Sequence, residues 1–214
     1  MSPLRHLSRQ SITCRATQWA RRVAAVLVAA GLLFALGAQA ALPASLATSV
    51  LVIPEAVAVD GEGQATHFPT GVASRLVQLP DDWVNSRPRE NTPVWYRAKF
   101  DRPELPQDER LAILIRRACS NAIVIVNGEV MHHKGSLQGV VSPRCRRPIL
   151  IAVPNALLRP QGNDIDVKLV GHSIQEVGAD ERAGWLSAIE VGPADVLQDV
   201  ADTAMFWQVN VARI

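Results

Sequence analysis

Three cysteines are all the sequence has, with no CxxC or HExxH, so no recognisable zinc site can be read from it. The 13 glycines include neither GxGxxG nor a P-loop, which removes the usual phosphate cradles of nucleotide enzymes. The GxSxG elbow of one large hydrolase class is absent too. Beyond the opening stretch no apolar run reaches the ~20 residues of a membrane span. Neither an internal repeat nor a low-complexity segment occurs. Acidic residues are missing altogether from the first 40 positions, where five arginines stand: Arg5, Arg9, Arg15, Arg21 and Arg22.

That charge asymmetry precedes an uncharged apolar run, Val23 to Leu36, and then the small residues Ala38-Gln39-Ala40. Charged, apolar and small segments in that order mark a secretory leader over residues 1–40, removed near Ala40 or retained as an anchor. Without it the formal charge changes from +2 to −3, because all 20 acidic residues remain and five of the 22 basic ones leave. The mature chain therefore offers no overall basic balance for nucleic acid. Its ~170 residues suit one domain with a full core. Export also permits a disulfide between Cys119 and Cys145. Spacing alone leaves that bridge and two buried thiols equally open.

The mature chain reads as short apolar runs between turn residues. Residues 41–72 form an N-terminal strand and loop region, with a strand near Ser49 to Ile53 and a turn at Asp60-Gly61-Glu62-Gly63. Strands follow at Leu76 to Leu79, Val94 to Phe100, Leu111 to Ile115, Ala122 to Val126, Glu129 to His132, Pro148 to Val153, Asn163 to Val170 and Leu186 to Val191. In Val94 to Phe100 the alternation puts Tyr96, Ala98 and Phe100 on one face and Trp95, Arg97 and Lys99 on the other. Asn127-Gly128 between two such runs is a hairpin signature, since both central residues need positive φ. Pro154 to Leu158 reads as a single helical turn. Pro193 stands at a helix start, and Val196, Leu197, Val200 and Ala204 share one helical face, so 194–206 reads as a helix. Many short strands, 14 prolines and little helix predict an all-β antiparallel sandwich or jelly roll over 73–192, followed by a C-terminal helical segment, 193–214.

Catalytic residues and metal ligands are not legible. His132-His133 are strand neighbours that point to opposite faces and cannot easily share a metal. Asp81-Asp82 sit in a Pro-Asp-Asp-Trp loop, where aspartates cap turns more often than they flank a substrate. Two basic clusters remain, Arg116-Arg117 and Arg144, Arg146, Arg147. Bidentate arginines of this kind grip anionic or polyhydroxylated ligands, and they also occur as a solvated rim. Trp83, Trp95 and Trp185 are candidate stacking platforms for sugar rings or, equally, packed core.

Several segments resemble known families. Val94-Trp95-Tyr96-Arg97-Ala98-Lys99-Phe100, Ala122 to Gly128 and Leu157 to Asn163 are similar to strands and turns of galactose-binding-like jelly rolls, including the sugar-binding domain of family 2 glycosidases. A broader set resembles the periplasmic N-terminal domain of bacterial membrane-bound sensor histidine kinases. It comprises Leu79 to Trp83, Arg117 to Ala122, Arg144 to Pro148, Gly184 to Pro193 and Met205 to Val209. In such sensors the Phe-Trp-Gln stretch leads into transmembrane helices and a kinase core. The resemblance leaves two readings, a fragment of a longer sensor or a free-standing periplasmic module. It also implies a Cys119–Cys145 bridge closing 25 intervening residues, worth ~3 kcal/mol in the chain-entropy model.

The resulting expectation is a non-catalytic periplasmic sensory module on the outer face of a bacterial inner membrane. It needs no cofactor and binds a small molecule, a carbohydrate or a periplasmic protein through Arg116, Arg117, Arg144, Arg146, Arg147 and Trp185. Its alternatives are a carbohydrate-binding accessory domain of a glycoside hydrolase and a structural envelope protein.

Overall fold

The computed structural model describes residues 50–61, 66–105, 109–119, 121–135, 147–177 and 183–210, with side chains through 207. All belong to the compact unit Ser45–Ile214. The leader, Arg144, Cys145 and Arg146 lie outside the described residues.

Among the described residues thirteen strands run in chain order. They are β1 (Leu51–Ile53), β2 (Glu55–Asp60), β3 (Arg75–Gln78), β4 (Asp81–Asp82), β5 (Val94–Phe100), β6 (Leu111–Ile115) and β7 (Ala118–Cys119). After these come β8 (Asn121–Val126), β9 (Glu129–Lys134), β10 (Ile149–Val153), β11 (Asn163–Val170), β12 (Trp185–Leu186) and β13 (Ile189–Pro193). The helices are α1 (Trp83–Ser86), α2 (Ile174–Val177) and α3 (Ala194–Asn210), with a 3-10 turn at Asn155–Leu157. One sheet has the order β1-β13-β6-β10, the larger one β3-β2-β5-β11-β8-β9, and a small third one β4-β12-β7. Every pairing between these strands is antiparallel. The chain is an all-β antiparallel sandwich.

Alternation builds the core between the two main sheets. Tyr96, Ala98 and Phe100 of β5, Ile165, Val167 and Leu169 of β11, and Val124 and Val126 of β8 meet Ile113, Ile115, Ile151, Val153, Ile189 and Val191 from the other sheet. Both main sheets are also covered outside. Ala112 and Leu114 of β6 pack under Leu197 and Ala201 of α3, so β6 is buried on both faces and reads as an unbroken apolar run. On the larger sheet Val59, Trp95 and Ile125 form a second buried layer with Phe68 packed on it. Arg97 donates two hydrogen bonds to Asp166, at 2.6 and 2.7 Å, and its guanidinium lies 4.2 Å from the Phe68 ring centre. The Lys168 ammonium lies 5.3 Å from the Trp95 ring centre.

The Asn127-Gly128 hairpin between β8 and β9 has φ of +50° and +94° at its central residues, as the primed turn requires. Asn127 tolerates the left-handed region because its side chain is fully engaged. Its Nδ2 donates to the Leu157 carbonyl and to Asn163 Oδ1, and its Oδ1 accepts from the Asp164 amide. Asn163 Oδ1 in turn accepts from the Arg159 amide. The turn is thereby tied to the entry of β11.

Asn127→Ala removes those bonds and leaves a β-carbon at positive φ. The expected loss is about 3 kcal/mol by urea unfolding, at about 1 kcal/mol for each of the three side-chain bonds. A loss under about 0.5 kcal/mol contradicts the role given to this turn.

Candidate functional site

The small sheet caps one end of the sandwich and positions most of the sequence-predicted site. Asp81, Leu186 and Ala118 form one cross-strand row, and all are buried. Asp82, Trp185 and Cys119 form the next row, whose side chains take the opposite face.

A buried hydrogen-bond chain joins this cap to the core. Trp83 Nε1 donates to the Tyr96 hydroxyl at 2.8 Å, and that hydroxyl donates to Asp81 Oδ2 at 2.7 Å. Burial, and then the adjacent Asp81 carboxylate, push the Tyr96 pKa well above its ordinary value, so the phenol keeps its proton. Gly184 makes room for the indole, because a β-carbon there would lie 2.1 Å from Trp83 Cδ2. The Trp83 amide donates to the Gly184 carbonyl at 3.1 Å. Buried Arg87 lies with its guanidinium 5.2 Å from the Trp83 ring centre and pairs with Asp60 and Glu90.

Asp81 and Asp82 are thus structural. Asp82 caps α1, accepting from the Val84 amide at 3.0 Å and from Asn85 Nδ2 at 2.8 Å. Two of the three candidate stacking tryptophans are corrected as well. Trp83 and Trp95 are 0 % exposed, the first inside the Tyr96 chain and the second beneath Phe68. Only Trp185 is half-exposed.

The Arg117 guanidinium lies 4.5 Å from the Trp185 ring centre. Its Nε donates to Cys119 Sγ at 3.1 Å, and its carbonyl accepts from the Ser187 amide at 2.9 Å. The side chain therefore spans from β7 to the neighbouring β12. Cys119 is buried and disulfide-bonded, with its partner outside the described residues. Arg147 is exposed and lies two residues before β10. Arg116 is committed elsewhere, donating from Nε and Nη2 to Glu190. Of the six predicted binding residues, Arg117 and Trp185 come together, Arg116 pairs away, Arg147 stands exposed before β10, and Arg144 and Arg146 lie outside the described residues.

Lys134 went unread as a neighbour of this end. Its Nζ donates to the Ala118 carbonyl at 2.8 Å, and burial lowers its pKa. His132 and His133 lie on the edge strand β9; burial, then Lys134 and His133, lower the His132 pKa. Among the described residues no three His, Cys, Asp or Glu side chains converge to hold a metal ion. No helix among them is long and apolar enough to cross a membrane. The cap can stack a planar or ring-shaped ligand and donate hydrogen bonds to its oxygens.

No family model and no curated protein matches the chain. Solved structures do. A β-glucuronidase of Faecalibacterium prausnitzii is 14% identical with a TM-score of 0.47, over 68% of this chain and 32% of that one. A Ruminococcus gnavus β-glucuronidase in complex with an N1-substituted uronic isofagomine is 12% identical with a TM-score of 0.48, over 68% and 30%. A glycosyl hydrolase family 2 member of Bacteroides cellulosilyticus is 17% identical with a TM-score of 0.48, over 67% and 20%. The chain spans about a third or less of the length of these structures.

Tyr96→Phe leaves Trp83 Nε1 and Asp81 without their buried partner. Urea unfolding is expected to show a loss of about 1–3 kcal/mol; an unchanged midpoint contradicts the clamp. Asp60 supplies a pH test. Its burial raises its pKa, but Arg75 and Arg87 outweigh that, so the net shift is downward from 3.8. A depressed carboxylate stabilises above its unfolded pKa and loses that contribution as pH falls through the folded one. Stability should decline below about pH 4, and Asp60→Asn should flatten that acid limb. An equally steep limb in the variant contradicts the assignment.

Proposed function

We propose that the chain is a non-catalytic β-sandwich module that binds a saccharide at its capped end, in the manner of an accessory domain. The observation that carries this reading is the pairing of Arg117 with half-exposed Trp185. An indole held in place by a guanidinium is a ready platform for a sugar ring, and the arginine adds donors for hydroxyl or carboxylate oxygens. A sugar ring takes the indole face opposite the guanidinium or displaces it. Such a module works outside the cytoplasm, which the leader pattern and the disulfide at Cys119 support. We assign its bridge to Cys145.

A sensory use of the same end has one specific observation in its favour. Arg116, at the end of β6, pairs with Glu190 of β13, and α3 packs on β6. Occupancy next to Arg117 could then bias α3 through shared strands, if the ligand prefers one arrangement.

Calorimetric titration with neutral and uronate-containing oligosaccharides tests the reading. Wild-type chain is expected to bind at least one of them, and Trp185→Ala to weaken that binding about tenfold with little change in melting temperature. Arg117→Ala should weaken it to a similar extent. Binding by Trp185→Ala at wild-type affinity overturns the assignment.

A further inference from the structure

A concavity lies away from Arg117 and Trp185. It has a volume of about 390 Å³ and is lined by residues of β1, β2, β3 and β5 with Pro54 between the first two. That size falls in the range of small-ligand sites. Leu76 pairs with Val57 and Val57 with Arg97, so these three side chains stand in one row on the outer face of the larger sheet. The next row continues the same register through Gln78, Glu55 and Lys99. Leu51 and Val52 line the same concavity.

Exposed large apolar side chains are few in the described chain, and three of them converge here: Leu51 at 40 %, Val52 at 52 % and Leu76 at 63 %. Scattered singly they would need no explanation, but gathered in one concavity they mark a binding surface. The charges around it are unequal. Asp166 occupies two donors of Arg97. Glu55 Oε2 accepts from Gln78 Nε2 at 3.4 Å. Lys99 is exposed and has no ion pair among the described residues. One cation is thus open to a ligand, while Glu55 and Asp164, on the strands to either side of Lys99, repel a second negative charge.

We propose that this concavity binds a small amphipathic monoanion, with its apolar body against Leu51, Val52, Val57 and Leu76 and its single carboxylate at Lys99. The site is independent of the saccharide end and survives if that reading fails.

Titration of the purified chain with decanoate below its micelle concentration, by calorimetry, provides the test, with decanol as the neutral control. One saturable decanoate site is expected. Leu76→Asp should abolish it, and the residue's exposure keeps the fold intact. Lys99→Ala should weaken decanoate about tenfold and leave decanol unchanged, the mark of a charge-assisted contact. Glu55→Gln should tighten decanoate. Absence of saturable binding, or equal decanoate affinity in Lys99→Ala, overturns the proposal. So does a wild-type chain whose dimer, seen by sedimentation, is lost in Leu76→Asp, because a second copy would then fill the concavity.

Discussion

The Tyr96 hydroxyl holds the capped end to the sandwich. It is the single polar atom through which the core strand β5 reaches both Trp83 and Asp81, and it does so in a dry interior. Buried donors and acceptors are costly when unmet, so the three groups specify one another's positions. Once Trp83 is fixed, Gly184 is the residue that fits against it, and the β12 strand that follows is set. Trp185 therefore stands where it does because of a tyrosine on the opposite side of the small sheet. Arg117, just before β7, then completes the arrangement.

The second constraint is that neither main sheet is left bare. The smaller one is covered by α3 and the larger by the Phe68 layer. This explains why outward positions of β5 and β11 are not solvated in the way alternation suggests. Trp95 and Lys168 are both 0 % exposed, and Arg97 faces the Phe68 ring. The concavity joins Leu76 and Val57 of the same outer face to Leu51 and Val52 of β1, all residues that the Phe68 layer does not include.

Much of this was legible in the sequence. Val94 to Phe100, Leu111 to Ile115 and Asn163 to Val170 match the observed strands residue for residue, because each alternates cleanly or is bounded by turn residues. The hairpin at Asn127-Gly128 was readable for the same reason. Glu55–Asp60 was missed although Ala56 and Ala58 alternate into the core, since alanines carry a weak apolar signal. The run Leu186 to Val191 divides at Ser187-Ala188 into β12 and β13, which belong to different sheets. Two-residue strands such as β4 and β7 carry no periodicity. Composition could not separate the three tryptophans either. Trp83 and Trp95 are buried by partners distant in sequence, Tyr96 for one and Phe68 for the other. Arg116 and Arg117 are neighbours whose fates differ, because one meets Glu190 and the other Trp185.

The functional account reduces to a location. In the proposed reading the ring platform is half-exposed Trp185 with the Arg117 guanidinium against it, held over the core by the Tyr96 chain. Backbone amide shifts recorded while an oligosaccharide that binds is titrated in would map the contact directly. The account predicts that perturbations cluster at Asp82, Arg117 to Cys119 and Trp185 to Ser187. Perturbations confined to other strands, with those residues unmoved, would contradict it.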